Sequence, residues 1–264
     1  MKKLLSVCVV LLMWVSIASA ATIGDAIEVS VISDNGWELP FYPVKINYDL
    51  KKVYAEAIKG DHYRIIVRNK LNRRIGVVIA VDGRNIISGQ KSWLKNSERM
   101  YIIDANSTNE YSGWRTEQDK INRFYFTSVP DSYAAAFGDK SAMGVIAVVA
   151  YPEVQRYEPL MDYSYSSPSK IKKEQAKDKA AAPSSQSRQI LESAGTGYGR
   201  EEYSPSYRVQ FDPENKAVES ILIKYEWRKT LCKMNIINCG RAYEHSANRI
   251  WDNTGYAPPP PYHR

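Results

Sequence analysis

Histidine and cysteine are scarce in this sequence, with three of each among 264 residues. Nucleophilic and general acid–base chemistry at neutral pH commonly recruits these side chains, or a metal that they bind. The G-x-S-x-G elbow of many hydrolases is absent as well. A triad assembled from distant positions would have to use His62, His245 or His263, so the sequence argues against a serine or cysteine hydrolase.

Long apolar runs are missing after the first twenty residues, so no transmembrane segment is predicted. Residues 1–20 carry two early lysines, an apolar stretch too short to span a bilayer, and the small residues Ala18-Ser19-Ala20. This pattern is typical of a signal peptide cleaved near Ala20-Ala21. We therefore predict a bacterial protein that is periplasmic or secreted.

Two cysteines, Cys232 and Cys239, remain after that cleavage. With His245 they form a C-x6-C-x5-H pattern, which supplies three zinc ligands but not the fourth. In an oxidising compartment a disulfide between Cys232 and Cys239 is the simpler interpretation. The prediction is therefore one disulfide, no metal and no cofactor.

The formal net charge of +7 includes the two early lysines, so the mature chain is only mildly basic. This balance fits weak attraction to anionic envelope polymers, and it is also common in proteins that bind nothing charged. The densest basic stretch, RNKLNRR at 68–74, is interpreted as a solvent-exposed turn between strands, whereas a nucleic-acid site would interleave basic and aromatic residues on one face. No nucleic-acid partner is predicted.

Short β-branched and aromatic segments dominate from Ile23 to Tyr151. They predict strands at 63–69, 75–81, 84–89, 99–104, 121–129 and 143–153. The last is nearly all apolar, as in a central strand, and a short helix is predicted before it, between Asp131 or Ser132 and Gly138. The sequence thus predicts a mainly β protein, an antiparallel β-sandwich with one or two short helices and a mobile linker.

Asp82 stands in the segment VIAVDGRNIISG and has two readings, metal ligand or turn residue. A calcium loop requires several oxygen ligands at alternating positions, and the residues after Gly83 do not supply them. Asp-Gly between two strand-like runs is instead a strong signal for a two-residue hairpin turn. We predict that Asp82 turns the chain.

The chain divides by composition into a signal peptide (1–20), a β-sandwich domain (21–157), a low-complexity linker (158–195) and a C-terminal segment (196–264). The C-terminal segment is predicted to contain a hairpin of two strands (207–211 and 219–227), a helix at 228–236 and a proline-rich tail. It either completes the same domain or forms a companion layer.

The tail, GYAPPPPYHR, favours polyproline II, and is either a ligand for an aromatic groove or packed on its own domain. The glycine-rich GTGYGR (195–200) is read as a hinge, because no strand precedes it as in a phosphate-binding loop.

Several ordered motifs resemble an uncharacterised family of secreted or periplasmic bacterial β-rich proteins. They are VDGRNIISG, YSGWR, FYFTSVPDSYAAAFGD and GVIAVVAY, followed later by GTGYG and KYEWRKTLC. The resemblance covers about 60–155 and 195–240. It implies a shared β-rich scaffold and carries no activity, ligand or site residue with it.

Two groups of residues are candidates for function. Acids cluster at Asp104, Glu110, Glu117 and Asp119, but no spacing singles out the facing pair that a glycosidase needs. Trp114 and Arg115 alternate faces if they lie on a strand, and are either a core anchor with a paired arginine or, with Tyr133, a contact surface.

The leading prediction is an exported, non-enzymatic binding or structural module of the cell envelope, with an envelope protein or glycan as partner and Trp114, Arg115 and Tyr133 as the contact residues. The alternatives are a carbohydrate-binding module, suggested by 19 tyrosines and 6 tryptophans, and a hydrolase with a cryptic carboxylate site.

Overall fold

The computed structural model describes residues 21–155 and 193–239. The predicted signal peptide, most of the predicted linker and the proline-rich tail lie outside the described residues. Within those two ranges the strands are β1 (Ile27–Ser33), β2 (Phe41–Ile46), β3 (Leu50–Ala57), β4 (Tyr63–Asn69), β5 (Ile75–Val81), β6 (Arg84–Asn85), β7 (Tyr101–Ile103), β8 (Thr108–Tyr111), β9 (Gly113–Arg115), β10 (Lys120–Arg123), β11 (Phe126–Ser128), β12 (Val145–Pro152), β13 (Ala194–Thr196), β14 (Glu201–Tyr203) and β15 (Glu219–Trp227). A 3-10 turn (Val129–Asp131) precedes α1 (Tyr133–Ala136), and α2 (Arg228–Lys233) follows β15.

The largest sheet has the strand order β2-β3-β15-β12-β5-β6, with β7 also paired to β5. Smaller sheets are formed by β1-β4-β8, by β14-β10-β9 and by β11-β13. Among the described residues every strand pair is antiparallel except β15 with β3, which is parallel. The predicted mainly β, sandwich-like class with short helices is confirmed.

The core lies between the large sheet and the β1-β4-β8 sheet. Alternate residues of β1 and β4, such as Val29 and Ile65, are fully buried in one cluster with Ile223 of β15. All seven residues of β5 are buried, because a second cluster containing Val78 and Tyr151 covers its outer face. The predicted central strand at 143–153 is confirmed, since β12 lies between β15 and β5.

Local signals around the turn and the short helix are also confirmed. Asp82 and Gly83 have φ angles of 50° and 78°, the left-handed pair that a tight hairpin turn requires. The Ser132 hydroxyl accepts a hydrogen bond from the Ala135 N–H and caps α1. Gly138, with φ 69°, lies just past the end of the helix.

The C-terminal region joins the sheets formed by the first part of the chain. β13 pairs with β11, β14 pairs with β10, and β15 is inserted between β3 and β12. Ala194 and Gly195, assigned above to the linker and the hinge, therefore lie in a strand, which corrects the 195 boundary. The predicted disulfide is confirmed: it joins Cys232 of α2 to Cys239, with a Cα–Cα distance of 5.5 Å.

The predicted strand at 207–211 is wrong, and with it the C-terminal hairpin. This segment is not a strand, because both edges of its expected partner, β15, are already occupied by β3 and β12. The chain instead runs beside the end of β12, where the Val154 N–H donates to the Asp212 carbonyl.

Two other predicted strands are shorter or divided. The one at 84–89 ends at Asn85, whose side-chain oxygen accepts from the N–H groups of Ile87 and Ser88 and turns the chain. The one at 121–129 is split into β10 and β11.

Candidate functional site

Trp114 is a core residue, which corrects its assignment to a contact surface. Its side chain is 2% exposed, and its indole N–H donates to the Gly197 carbonyl at 3.0 Å. The ring packs edge-on against Phe124 at 5.3 Å and lies 4.3 Å from the Tyr133 ring. Trp114 thus supports Tyr133 from beneath.

Arg115 faces away from that core, as alternation along a strand requires, but its guanidinium is already engaged. Nε donates to the Tyr101 hydroxyl at 3.0 Å, and the terminal nitrogens donate to the Ser204 carbonyl and hydroxyl and to the Gln118 carbonyl. All these partners are neutral groups, whereas the interpretation of Trp114 as a core anchor had expected Arg115 to pair with an acid. Arg115 therefore holds the segment around Ser204 to the sheet and has few donors left for a partner.

Tyr133 is the one sequence-predicted contact residue that lies in an exposed aromatic cluster. Its ring stacks on Tyr198 at 5.4 Å with an interplanar angle of 14° and meets Phe137 at 5.0 Å and 67°. Tyr198 and Phe137 are 46% and 58% exposed. Trp93 is joined to these residues through Lys91 and Asp139. We call the surface formed by Trp93, Tyr133, Phe137 and Tyr198 the aromatic patch.

Two cations connect the parts of this patch. The Arg84 guanidinium carbon lies 4.1 Å from the centre of the Phe137 ring, within the range of a cation–π contact. The Lys91 ammonium lies 5.3 Å from the centre of the Trp93 ring and 3.8 Å from an Asp139 carboxylate oxygen. Trp93, 69% exposed, is therefore linked to the segment that carries Phe137.

Asp139 is ionised in this setting. Burial opposes its charge, but hydrogen bonds from the Ser141 hydroxyl and N–H, together with the nearby Lys91 and Arg84, lower the pKa of its carboxyl. The patch consequently combines exposed rings with the cations Arg84 and Lys91 and the anion Asp139.

The loop that presents Trp93 is organised by one half-buried acceptor, Glu98. One oxygen of Glu98 accepts from the N–H groups of Trp93 and Lys95 at 2.8 and 3.0 Å, and the other accepts from the Ser92 hydroxyl at 2.7 Å and the Asn85 amide at 3.3 Å. Burial opposes ionisation, but these hydrogen bonds prevail and lower the pKa of Glu98. The exposed indole is thus held on a fixed backbone.

A buried polar network lies at the same end of the large sheet. The carboxylate of Asp82 accepts from the Gly144 N–H (2.7 Å), the Thr196 N–H (2.7 Å) and the Tyr225 hydroxyl (2.6 Å). The Thr196 hydroxyl also lies 2.7 Å from the hydroxyls of Tyr225 and Tyr63. Burial raises the pKa of Asp82 to about 6, against the effect of these hydrogen bonds. Because the carboxylate is fully buried, it joins chain segments and is closed to a substrate.

The predicted acid cluster does not form a facing pair. Glu110 lies 3.3 Å from Arg64, and Glu117 lies 3.6 Å from Lys120, so each acid has its own cation. The Asp119 carbonyl accepts from the Ser204 N–H, and the Asp104 carbonyl accepts from the Asn69 side chain.

An open groove of about 490 Å³ is lined by Tyr48, Asp49, Arg73, Pro152, Glu214, Lys216, Ala217 and Val218. Its Arg73 and Glu214 are paired at 2.6 Å, so these charges neutralise each other. His62 contacts the Tyr125 ring at 5.7 Å, while His245 and His263 lie outside the described residues.

Within 21–155 and 193–239, no group of three or more His, Cys, Asp or Glu side chains is placed to hold a metal ion. Over the same residues, no helix has the length and apolar character needed to cross a bilayer. Comparison with known proteins finds no matching family model, curated protein or solved structure.

Trp93, Phe137 and Tyr198 were not singled out from the sequence. Each stands beside turn-forming residues, in KSWLKNSE, AAFGD and TGYGR, and a large ring in such a setting is a usable signal of exposure. Their grouping could not be predicted, because the packing of Tyr198 on Tyr133 and the link from Trp93 through Lys91 to Asp139 join segments that are distant in sequence.

Proposed function

We propose that this protein is an exported, non-enzymatic binding module that contacts another protein through the aromatic patch. The observation that carries the proposal is that the exposed rings of Phe137 and Tyr198 pack against Tyr133 and its buried support Trp114. The exposed Trp93 ring is joined to this group through Lys91 and Asp139. Binding hot spots are enriched in Trp, Tyr and Arg. A rigid patch also loses little side-chain entropy when a partner binds.

The geometry of the rings favours a protein partner over a flat sugar. A carbohydrate platform is expected to present rings in one plane, whereas Phe137 is tilted by 67° from Tyr133. The cations Arg84 and Lys91 lie among the rings. A partner that offers apolar side chains and a carboxylate complements this surface.

Export is supported by the signal-like residues 1–20 and by the Cys232–Cys239 disulfide, since disulfides persist in oxidising compartments. Cell fractionation and N-terminal sequencing test this part. A chain that begins at Ala21 in the periplasm or medium is expected, and an intact Met1 in the cytoplasm would contradict export.

The binding proposal is tested by photo-crosslinking in cells, with a benzoylphenylalanine in place of Tyr198. One defined protein adduct is expected. In the variant Trp93→Ala/Phe137→Ala the adduct should fall at least tenfold.

The matched control is Trp37→Ala/Tyr48→Ala, which removes two rings that are more exposed than those of the patch. It should leave the amount of adduct unchanged.

A second experiment measures retention of the protein on purified peptidoglycan or another insoluble glycan. Retention of the wild type and of the control, with loss of retention in the patch variant alone, would favour the carbohydrate-binding alternative instead.

A further inference from the structure

We infer that the aromatic patch is the docking site of this chain's own proline-rich segment, Pro258–Pro261, so that the tail competes with the external partner. The inference rests on the proposed role of the patch as a contact surface. It adds the chemistry that the patch recognises, a polyproline II segment, and a regulation of access to it.

The chain leaves the described region at the end of the large sheet where the patch lies. Tyr225 of β15 donates its N–H to the Gly144 carbonyl, and Ile146 of β12 pairs with Val81 of β5. The next turn leads directly to Arg84, beneath Phe137. Beyond Tyr225, β15 ends at Trp227 and is followed by α2. The start of α2 and the turn that leads to Arg84 therefore lie at the same end of the large sheet.

The exit point is held in place by the disulfide. Cys239, the last described residue, is bonded to Cys232 of α2, and Leu231 of the same helix is fully buried. The tail therefore starts from an anchored position near the patch.

The connecting segment is long enough to reach. The helix α2 contacts β15 and β3, which are three and four strand spacings from β6, a distance of about 14–19 Å. The 18 residues from 240 to 257 span up to about 60 Å when extended. A tether of this kind gives an effective concentration on the order of 1 mM, so that even weak docking is populated.

The chemistry of the two surfaces is complementary. Consecutive prolines favour polyproline II, which has little conformational entropy left to lose, and such segments dock on surfaces lined by aromatic rings. The patch offers ring faces and edges at different angles, from Tyr133, Phe137 and Tyr198. Tyr256 and Tyr262 flank the four prolines and bring further apolar area to the same contact.

The test uses the synthetic peptide GYAPPPPYHR and a protein shortened after Thr254. Isothermal titration or NMR titration should give a dissociation constant between about 10 and 100 μM, well below the effective concentration of the tethered tail. The full-length protein should bind the same peptide at least tenfold more weakly, because its own tail occupies the patch. A peptide with the prolines replaced, GYAGSGSYHR, should not bind.

The shortened protein with Trp93→Ala/Phe137→Ala should lose the peptide, while Trp37→Ala/Tyr48→Ala should retain it. Absence of binding at 2 mM peptide, or binding that survives the patch replacements, would overturn the inference. If the shortened protein does not fold, crosslinking from position 198 in the full chain decides. Adducts within 255–264 support docking, and their absence opposes it.

This failure is distinguishable from failure of the proposed function. If the patch still crosslinks an external protein while the peptide does not bind, the proposed function stands without the tail. If the peptide binds and no external partner is captured, docking of the tail stands without the proposed function.

Discussion

The hydroxyl of Tyr225 donates a 2.6 Å hydrogen bond to Asp82, although the two residues are 143 positions apart in sequence. The same carboxylate accepts the N–H groups of Gly144 and Thr196. A residue whose local role is to turn a hairpin thus also joins β12, β13 and β15 to that hairpin. The network lies at the end of the sheet that carries the aromatic patch.

At pH 7, Asp82→Asn should lower the free energy of unfolding by about 1–3 kcal/mol. The amide NH₂ that replaces one oxygen would face the Thr196 N–H, a donor 2.7 Å away, and that donor would lose its acceptor. Urea denaturation measures the change. Glu117→Gln, on an exposed acid, should change stability little, and an equal midpoint for Asp82→Asn and the wild type would contradict the structural role.

The stabilising effect of Asp82 should depend on pH. Burial raises its pKa from 3.8 to about 6, while its hydrogen bonds and Lys224 oppose the rise, and burial also keeps the neighbouring Tyr63 and Tyr225 neutral by raising their pKa values. Between pH 4 and 6 the folded state therefore binds more protons than the unfolded state. The contribution of Asp82 falls as the pH rises through this window.

The measurement is the difference in free energy of unfolding between the wild type and Asp82→Asn at pH 4, 5, 6 and 7. It should shrink by about 2–3 kcal/mol from the lowest to the highest pH. Glu98 and Asp139 have lowered pKa values, so their contributions to the free energy of unfolding are lost as the pH falls, which is the opposite direction. Both residues are present in the wild type and in the variant, so their contributions cancel in the difference. A difference that grows with pH would contradict the prediction.

Gly89→Ala should weaken contacts made by the aromatic patch. Gly89 has φ 66°, and a Cβ there would lie 2.7 Å from the Tyr133 hydroxyl, so the ring at the centre of the patch must move. We expect at least a tenfold loss in binding of the tail peptide or of the crosslinked partner. Gly36→Ala is the control, because Gly36 has φ 82° with nothing within 4 Å.

Both glycine variants should lose about 1 kcal/mol of stability from backbone strain. Thermal unfolding measures that shared loss, and titration measures the affinity. Equal affinities for the two variants would show that the position of Tyr133 does not matter for binding.

Cutting the predicted linker should leave the two fragments associated. With a site-specific protease sequence inserted between Gln175 and Ala176, the cleaved protein should elute from a sizing column as one species. The reason is that β13, β14 and β15 pair with strands of the first part, and β15 buries Ile221, Ile223 and Tyr225 in the common core. Separation in urea confirms that the cut is complete, and separate elution without urea would contradict the shared core.

Most expectations that depend on neighbouring residues were met. The Asp82-Gly83 turn, the cap at Ser132 and the apolar strand β12 each follow from a few adjacent residues, and the structure contains all of them. The Cys232–Cys239 disulfide, expected from the number of cysteines, is also present. The signal peptide, export, the family resemblance and the binding role stay predictions.

Most of the expectations that were wrong depended on distant residues; the strand at 84–89 is the exception, because the Asn85 side chain ends it locally. Alternation placed Trp114 and Arg115 on opposite faces, but only the packing of Phe124 and Gly197 around Trp114 decided which one is buried. The strand propensity of 207–211 was overridden because β15 already has two neighbours.

By itself, the sequence of this protein determined a mainly β chain, the Asp82-Gly83 turn and the short helices, because φ preferences, caps and alternating burial act over a few residues. It also determined the disulfide, because Cys232 and Cys239 are the two cysteines that follow residue 20. Only the tertiary structure decided that β15 completes the large sheet, that Tyr198 packs against Tyr133, and that Trp93 is linked to the same surface through Lys91 and Asp139. These arrangements arise from contacts between segments far apart in the chain, where burial of the shared core, and not local propensity, selects the partner.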